Sequence, residues 1–174
     1  MKALLALLLA VASALAQALP ASVHETATGW RQWGSGEMRW LGIALYRATL
    51  WVAGQPPSAL PANSPSALQL EYRRDISRQR LVQTSVDEMR RLGASEAQLQ
   101  RWQPELERVL PDVKEGDVIV GVRFPGRGAS FHHRGQMTGE IGDDDFARFF
   151  FAIWLDPRTR SPALRSALLQ PPAE

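Results

Sequence analysis

Residues 30–53 read as strands, and from Trp40 onward the chain is apolar at both parities, with Leu41, Ile43 and Leu45 on one and Trp40, Ala44, Tyr46 and Leu50 on the other. A half-solvated strand alternates cleanly, so this pattern predicts strand buried on both faces. Gly34-Ser35-Gly36, just before it, reads as a hairpin turn or bulge. GQPPSALPANSPS, residues 54–66, is a loop by its proline and serine content. In ALQLEYRRD, Leu68, Leu70 and Tyr72 alternate with Gln69, Glu71 and Arg73, which predicts a strand with one wet face.

The period changes at Ser77. Leu81, Val82, Val86, Met89 and Leu92 follow helical spacing, with Ser77 placed to cap the helix and Gly93 to stop it. Ser95 and Gln98 have capping-box spacing for a second helix, which buries Leu99, Trp102, Leu106, Val109 and Leu110. Pro104 is expected to kink or split that helix. VIVGVRF, ASFHH and QMTGEI follow as three short strands joined by the tight turns PGRG and RG, an antiparallel meander.

Asp143, Asp144 and Asp145 then open a helix where the backbone dipole favours negative charge, and Phe146, Phe149, Phe150, Ile153 and Trp154 form its apolar stripe. Ser161-Pro162 caps and starts a last short helix with Leu164 and Leu168 inside. Strands, two helices, strands and two helices, with antiparallel connections, make an α+β fold in which a layer of helices covers a large curved antiparallel sheet.

The first residues change the picture of where the protein works. Lys2, the apolar run LLALLLAVA and Ala14-Leu15-Ala16 have the order of an export signal, residues 1–16, cleaved after Ala16 or alternatively after Ala14. The apolar run is shorter than the roughly 20 residues needed to span a bilayer, and no later stretch approaches that length. The expectation is an exported, periplasmic or secreted protein with no integral membrane segment after cleavage. Residues 17–170 form one domain, and 171–174 a frayed tail.

Composition removes several functions. There are no cysteines, so there is neither a disulfide nor a lipid-bearing cysteine, and stability must come from packing. Net charge is only +2, and arginines and acids are interspersed, so no basic stripe suggests a nucleic-acid partner. His132 and His133 are adjacent on a strand and point to opposite faces, so they cannot grip one ion together. The three aspartates are explained by the helix dipole and the aromatic stripe by the core. No nucleophile elbow, phosphate-binding glycine loop or HExxH is present. No metal, cofactor or catalytic group is therefore assigned.

Arg39 and Arg47 are the unusual residues of the first apolar run. Eight positions apart, they share a face with Thr49 if the strand is unbroken, and two cations with a hydroxyl can hold an anionic or phenolic oxygen. The alternative is that Arg39 lies in water at a strand end while Arg47 pairs with a carboxylate from a covering helix.

GSGEMRWLGIALYRATLW, LQLEYRRD, SVDEMRRLG, LPDVKEGDVIVGV and FFFAIWLDPRTRSPALRSALL together resemble the bacterial chalcone isomerase-like family over essentially the whole mature chain. The resemblance implies the chalcone isomerase fold, with a ligand cleft between sheet and helices. Enzymes of that superfamily hold the substrate and its developing oxyanion with an arginine in a GAGVR-like stretch. The corresponding GSGEMR ends on Arg39, one residue later after the second glycine, and a one-residue shift turns a side chain to the other face unless a bulge compensates. The Tyr, Lys and Asn of the enzymes' first covering helix correspond to Val82, Ser85 and Met89, and their later Ser or Thr falls near Ile153. Cyclisation needs donors for an enolate, and such a cleft lacks most of them.

The resemblance thus implies a non-catalytic protein binding a small apolar or amphipathic ligand, such as a fatty acid. Arg39, Arg47 and Thr49 would be its polar candidates; Val82, Ser85, Met89, Phe149 and Ile153 would line it. An isomerase or lyase acting on another substrate, and an interaction module with no ligand cleft, are the alternatives.

Overall fold

The computed structural model describes residues 18–54 and 64–170. The expected signal, the tail and most of the 54–66 loop lie outside the described residues. Six strands, β1 (Arg31–Trp40), β2 (Ile43–Val52), β3 (Ser66–Tyr72), β4 (Val118–Phe124), β5 (Gly128–His133) and β6 (Gln136–Ile141), form one antiparallel sheet in sequential order. A single helical turn, α1 (Ala21–His24), precedes them and was not visible in the sequence pattern. Helices α2 (Arg78–Leu92) and α3 (Glu96–Val109) separate β3 from β4, and α4 (Asp144–Leu155) and α5 (Pro162–Leu169) follow β6. The α+β architecture read from the sequence is the observed one.

Local signals set the helix ends as expected. The Ser77 hydroxyl accepts from the Arg80 N–H, Gly93 closes α2 at φ +107°, and Ser95 and Gln98 form a reciprocal capping box on α3. Asp143 caps α4 by accepting from the Phe146 N–H. Three expectations need correction. Pro104 does not split α3, which runs continuously from Glu96 to Val109. Proline removes its own N–H and leaves the carbonyl four residues earlier unpaired; that carbonyl belongs to Gln100, on the exposed side, where water can satisfy it. Ser161 makes no side-chain cap hydrogen bond; its hydroxyl lies 3.0 Å from the Met38 sulfur instead. Of the two readings of Gly34-Ser35-Gly36, the hairpin turn fails, since the segment is the interior of β1, while the bulge is met by the register shift between Gln32 and Gly34.

Those glycines answer to α5. A Cβ on Gly34 would run into the carbonyl oxygens of Ala167 and Leu168, and one on Gly36 would meet Ala167 and Leu164 at 2.9–3.0 Å. Glycine here lets a helix backbone lie directly on the strand.

The actual hairpin turn is Leu41-Gly42, with φ +48° and +80°. Two positive φ values fit the right-handed twist of the flanking strands, which is why such turns join tight hairpins. Because of this turn, Arg39 and Arg47 lie on neighbouring strands, not on one unbroken strand. The expectation that Trp40, Leu41 and Ile43 are buried on both faces also fails: they are 62%, 81% and 43% exposed.

The four long helices cover one face of the sheet, the inner face. Ala48, Leu50 and Val52 of β2, Leu68, Leu70 and Tyr72 of β3, and Ala129 and Phe131 of β5 meet Val82, Val86, Met89, Trp102, Phe146 and Phe150 in one buried cluster. Phe146 stacks on Phe150 at 5.5 Å, and Phe131 meets Phe150 edge-on at 5.2 Å, geometries that aromatic quadrupoles favour.

The outer face is covered in part by the segment around α1, whose Leu19 and Val23 pack on Ala67, Val120 and Val122. The wet face expected for β3 is therefore largely closed: Ala67 is fully buried and Gln69 only 4% exposed.

Candidate functional site

The sheet separates the residues singled out from the sequence. Val82 and Met89 point from α2 into the inner cluster and are 3% and 0% exposed. Ser85 is half-buried, its hydroxyl donating to the Leu81 carbonyl at 2.9 Å. Phe149 and Ile153 of α4 are half-buried against the same cluster, Phe149 at 5.8 Å from the Trp102 ring. Arg47 and Thr49 have the opposite parity on β2 to Ala48 and Leu50, so they lie on the outer face. Thr49 stands between Ser35 and Gln69 in the register, and Arg47 between Glu37 and Glu71. Arg47 donates to the Ser35 hydroxyl at 3.0 Å, so the carboxylate from a covering helix expected beside it is replaced by strand neighbours.

Arg39 is on neither face's interior. At the end of β1, it donates to Glu37 at 3.1 Å and to the Gly42 carbonyl at 3.2 Å. A register shift does lie between Met38 and Arg39, so the irregularity that could offset its displaced position is present. Arg39, Arg47 and Thr49 thus do not converge with Val82, Ser85, Met89 and Ile153 on one cleft.

The inner seam has polar residues that sequence reasoning passed over. Trp154 of α4 donates its indole N–H to the Tyr46 hydroxyl at 2.9 Å. Burial pushes that hydroxyl up to about 12; the Trp154 hydrogen bond works against the rise and the nearby Glu88 charge adds to it. Tyr72, edge-on to Tyr46 at 5.8 Å, is raised further by burial. Neither phenol can serve as a base near neutral pH. Since the Tyr46 oxygen accepts from Trp154, its own proton is unspent, with no acceptor among the described residues.

Above it sits Glu88, 9% exposed, which takes Arg91 at 2.6 Å and Arg160 at 3.2 Å, one on each oxygen. Arg91 is tied further to the Arg158 carbonyl, whereas the Arg160 side chain is 69% exposed. A half-buried hydroxyl proton near a carboxylate that carries two guanidinium groups can be offered to a carboxylate or carbonyl oxygen. A tyrosine at a core parity needs a partner for its hydroxyl, and that signal could have flagged Tyr46. Nothing local connects it to Glu88 or Arg160.

The outer face holds a second polar group. His132, 2% exposed, lies between Ser22 (3.1 Å from Nδ1) and Ser130 (3.3 Å from Nε2). The Ser22 hydroxyl donates to the Gly135 carbonyl at 2.9 Å, so it accepts from Nδ1–H, and Ser130 donates to Nε2. This is a neutral imidazole, and burial lowers its pKa, opposed by Glu140. A concavity of about 430 Å³ opens beside it between the α1 segment and β5–β6. His133, on the other face, lies 3.3 Å from Asp117; the Arg134 hydrogen bond holds that carboxyl down to about 2. Among the described residues no three side chains are grouped to hold a metal ion, and no helix is long and apolar enough to cross a membrane.

A family profile described as chalcone isomerase-like matches residues 32–170. No curated protein matches the chain. Among solved structures, the crystal structure of a fatty-acid binding protein from Arabidopsis thaliana has a similar fold, with a TM-score of 0.62 and 15% identity over 81% of this chain and 87% of that one. Likeness at this identity is likeness of fold.

Proposed function

The chain belongs to the chalcone isomerase-like family, and from that premise we propose that it is an exported, non-catalytic member that binds a small amphiphile bearing a carboxylate, such as a fatty acid. The observation that carries this reading is the unspent Tyr46 proton held against Trp154 in an otherwise apolar seam. A carboxylate there would accept from Tyr46 and compete with Glu88 for Arg160, while the hydrocarbon tail replaces contacts along Val82, Ser85, Met89 and Ile153. Met89 is fully buried, so the tail enters only if that flexible thioether side chain rotates aside. The same groups argue against chalcone cyclisation: both tyrosines are held protonated, and Val82, Ser85 and Met89 offer the enolate one hydroxyl, already committed to Leu81. The solved fatty-acid binding protein of similar fold supports the ligand class.

Native mass spectrometry of protein recovered from the periplasm, followed by fatty-acid titration, tests the reading. The expected result is a co-purified or titratable ligand bound more tightly than about 1 mM, and about tenfold weaker binding in Tyr46→Phe, the loss of one hydrogen bond to a charged group. No binding, or equal binding by Tyr46→Phe, overturns it. The same sample reports export: an amino terminus at Gln17 is expected. Burial of Val82 and Met89 favours one other reading, an interaction module whose seam stays closed. That reading predicts no ligand and no change in thermal stability when fatty acid is added.

A further inference from the structure

Among the described residues the large apolar side chains most held in water are Trp40, Leu41, Ile43 and Met137, and the first three gather around the one Leu41-Gly42 turn. Leu41 is the most exposed at 81%, and it occupies a left-handed conformation that Gly, Asn or Asp adopts far more readily. Nothing in the packing of the sheet requires leucine there.

The polar groups at the neck of the hairpin are already satisfied from within. Arg39 bonds the Gly42 carbonyl at the turn and is neutralised by Glu37. What remains at the tip is hydrocarbon and indole on a convex two-residue turn. A convex tip offers a protein partner no groove, but a lipid interface accepts it, and indole rings favour the headgroup level.

Charge behind the tip has the matching order. Arg39 lies one residue back, and the Arg73 N–H bonds the Leu45 carbonyl, which brings Arg73 and Arg74 alongside. The carboxylates that pair with Arg39 and Arg73, on Glu37 and Glu71, lie further back, level with Arg47. Along the hairpin itself guanidinium groups thus precede carboxylates; beside it Asp75 and Glu115 share a hollow with Arg73 and Arg74, and Asp75 is paired with Lys114 at 3.0 Å, so the cationic side that lipid phosphates would meet is that of Arg39, Arg73 and Arg74.

We propose that the β1–β2 hairpin tip docks on a phospholipid bilayer, with Trp40, Leu41 and Ile43 entering the headgroup layer and Arg39, Arg73 and Arg74 meeting phosphates. Met38 and Tyr46 face each other across the same hairpin, and Met38 touches Ser161 at the seam. Docking would bring the mouth of the seam to the source of an amphiphilic ligand; this last step rests on the ligand reading above, the docking itself does not.

The chain has no cysteine, so Leu41→Cys and Arg127→Cys each carry a single fluorescent label, one at the tip and one on the β4–β5 turn at the opposite end of the sheet. Protein processed by an exporting host is mixed with phosphatidylcholine vesicles, with and without phosphatidylglycerol. The expected result is about threefold shielding of the label at 41 from an aqueous quencher, stronger with phosphatidylglycerol, and none at 127. Because Leu41→Cys removes part of the apolar tip, vesicle flotation compares the unsubstituted protein with Trp40→Thr, Leu41→Asn, Ile43→Thr. This triple variant suits the turn better than the native residues and is expected to fold and to lose flotation.

No shielding at 41 together with no flotation of the unsubstituted protein overturns docking, and so does equal shielding at both labels or undiminished flotation of the triple variant. Concentration-dependent self-association abolished by the triple variant, without vesicle binding, assigns the tip to a second copy and overturns it too. Fatty-acid binding in solution is measured separately on the unsubstituted protein. If it persists while vesicle binding fails, only docking falls; if vesicles bind but fatty acid does not, only the ligand reading falls.

Discussion

The two faces of this sheet are built on different terms. The inner face is roofed by four helices whose aromatic and aliphatic side chains form one continuous cluster, with polar groups only at its edge. The outer face carries hydroxyls, an amide, a guanidinium and an imidazole on the same strands, and is strapped in part by a short segment around α1. The difference teaches that strand parity alone does not say which side is core. β3 has both parities buried, yet Leu68 and Leu70 are held by helices and Gln69 lies in a polar row. Stability should therefore reside on one face and conditional behaviour on the other.

The sharpest way to break this contrast is Phe146→Ala. The side chain is fully buried and touches Trp102, Phe131 and Phe150, so truncation is expected to cost about 3–5 kcal/mol in denaturant unfolding. A loss below 1 kcal/mol would mean that the inner cluster is not the seat of stability. Next, Gly34→Ala tests whether α5 is fixed or adaptable. The added methyl meets the α5 backbone at Ala167 and Leu168, so the helix itself must move, and a loss of about 1–3 kcal/mol or more is expected. An unchanged melting temperature would show that α5 can lift without penalty.

The outer face should show itself through pH. Burial lowers the His132 pKa, so the folded protein binds fewer protons there than the unfolded chain. Its contribution is complete above the unfolded value of about 6.5 and declines as pH falls through and below it. Melting temperature is expected to drop on acidification from pH 7 to 5, with hydrogen exchange rising first around Val23 and Thr26. His132→Asn should flatten that dependence; an equally steep curve would place the titrating group elsewhere. The smallest effect expected is a gain. Leu41→Asn relieves left-handed strain and should stabilise the protein by up to about 1 kcal/mol, provided the tip has no structural role.

Much of the fold was legible because its signals are local. Ser77 and Gly93 bracket α2, Ser95 and Gln98 open α3, and PGRG and RG mark the meander, each through a backbone requirement visible within a few residues. The Leu41-Gly42 turn escaped because leucine is a poor turn residue, and two glycines nearby drew the turn to the wrong place. Gly34 and Gly36 are glycine for a tertiary reason, contact with a helix that lies far along the chain. The candidate site was less legible. Val82, Ser85, Met89 and Ile153 could be placed by helical period. Tyr46, Glu88 and Arg160 come from a strand, a helix and the connection between α4 and α5, and no spacing rule joins them. Arg39 and Arg47 drew attention as charges in an apolar run, yet their environment depended on a turn that had not been recognised.

The seating of α5 on β1 ties the first strand of the sheet to the last helix described. As the polypeptide leaves the ribosome, the strand's glycine-lined surface has no cover until that helix emerges, by which time the other elements have already been synthesised. Among the described elements the sheet therefore gains its last cover only when its two most distant parts in sequence are both present, which makes the closing contact of the fold also its least local one.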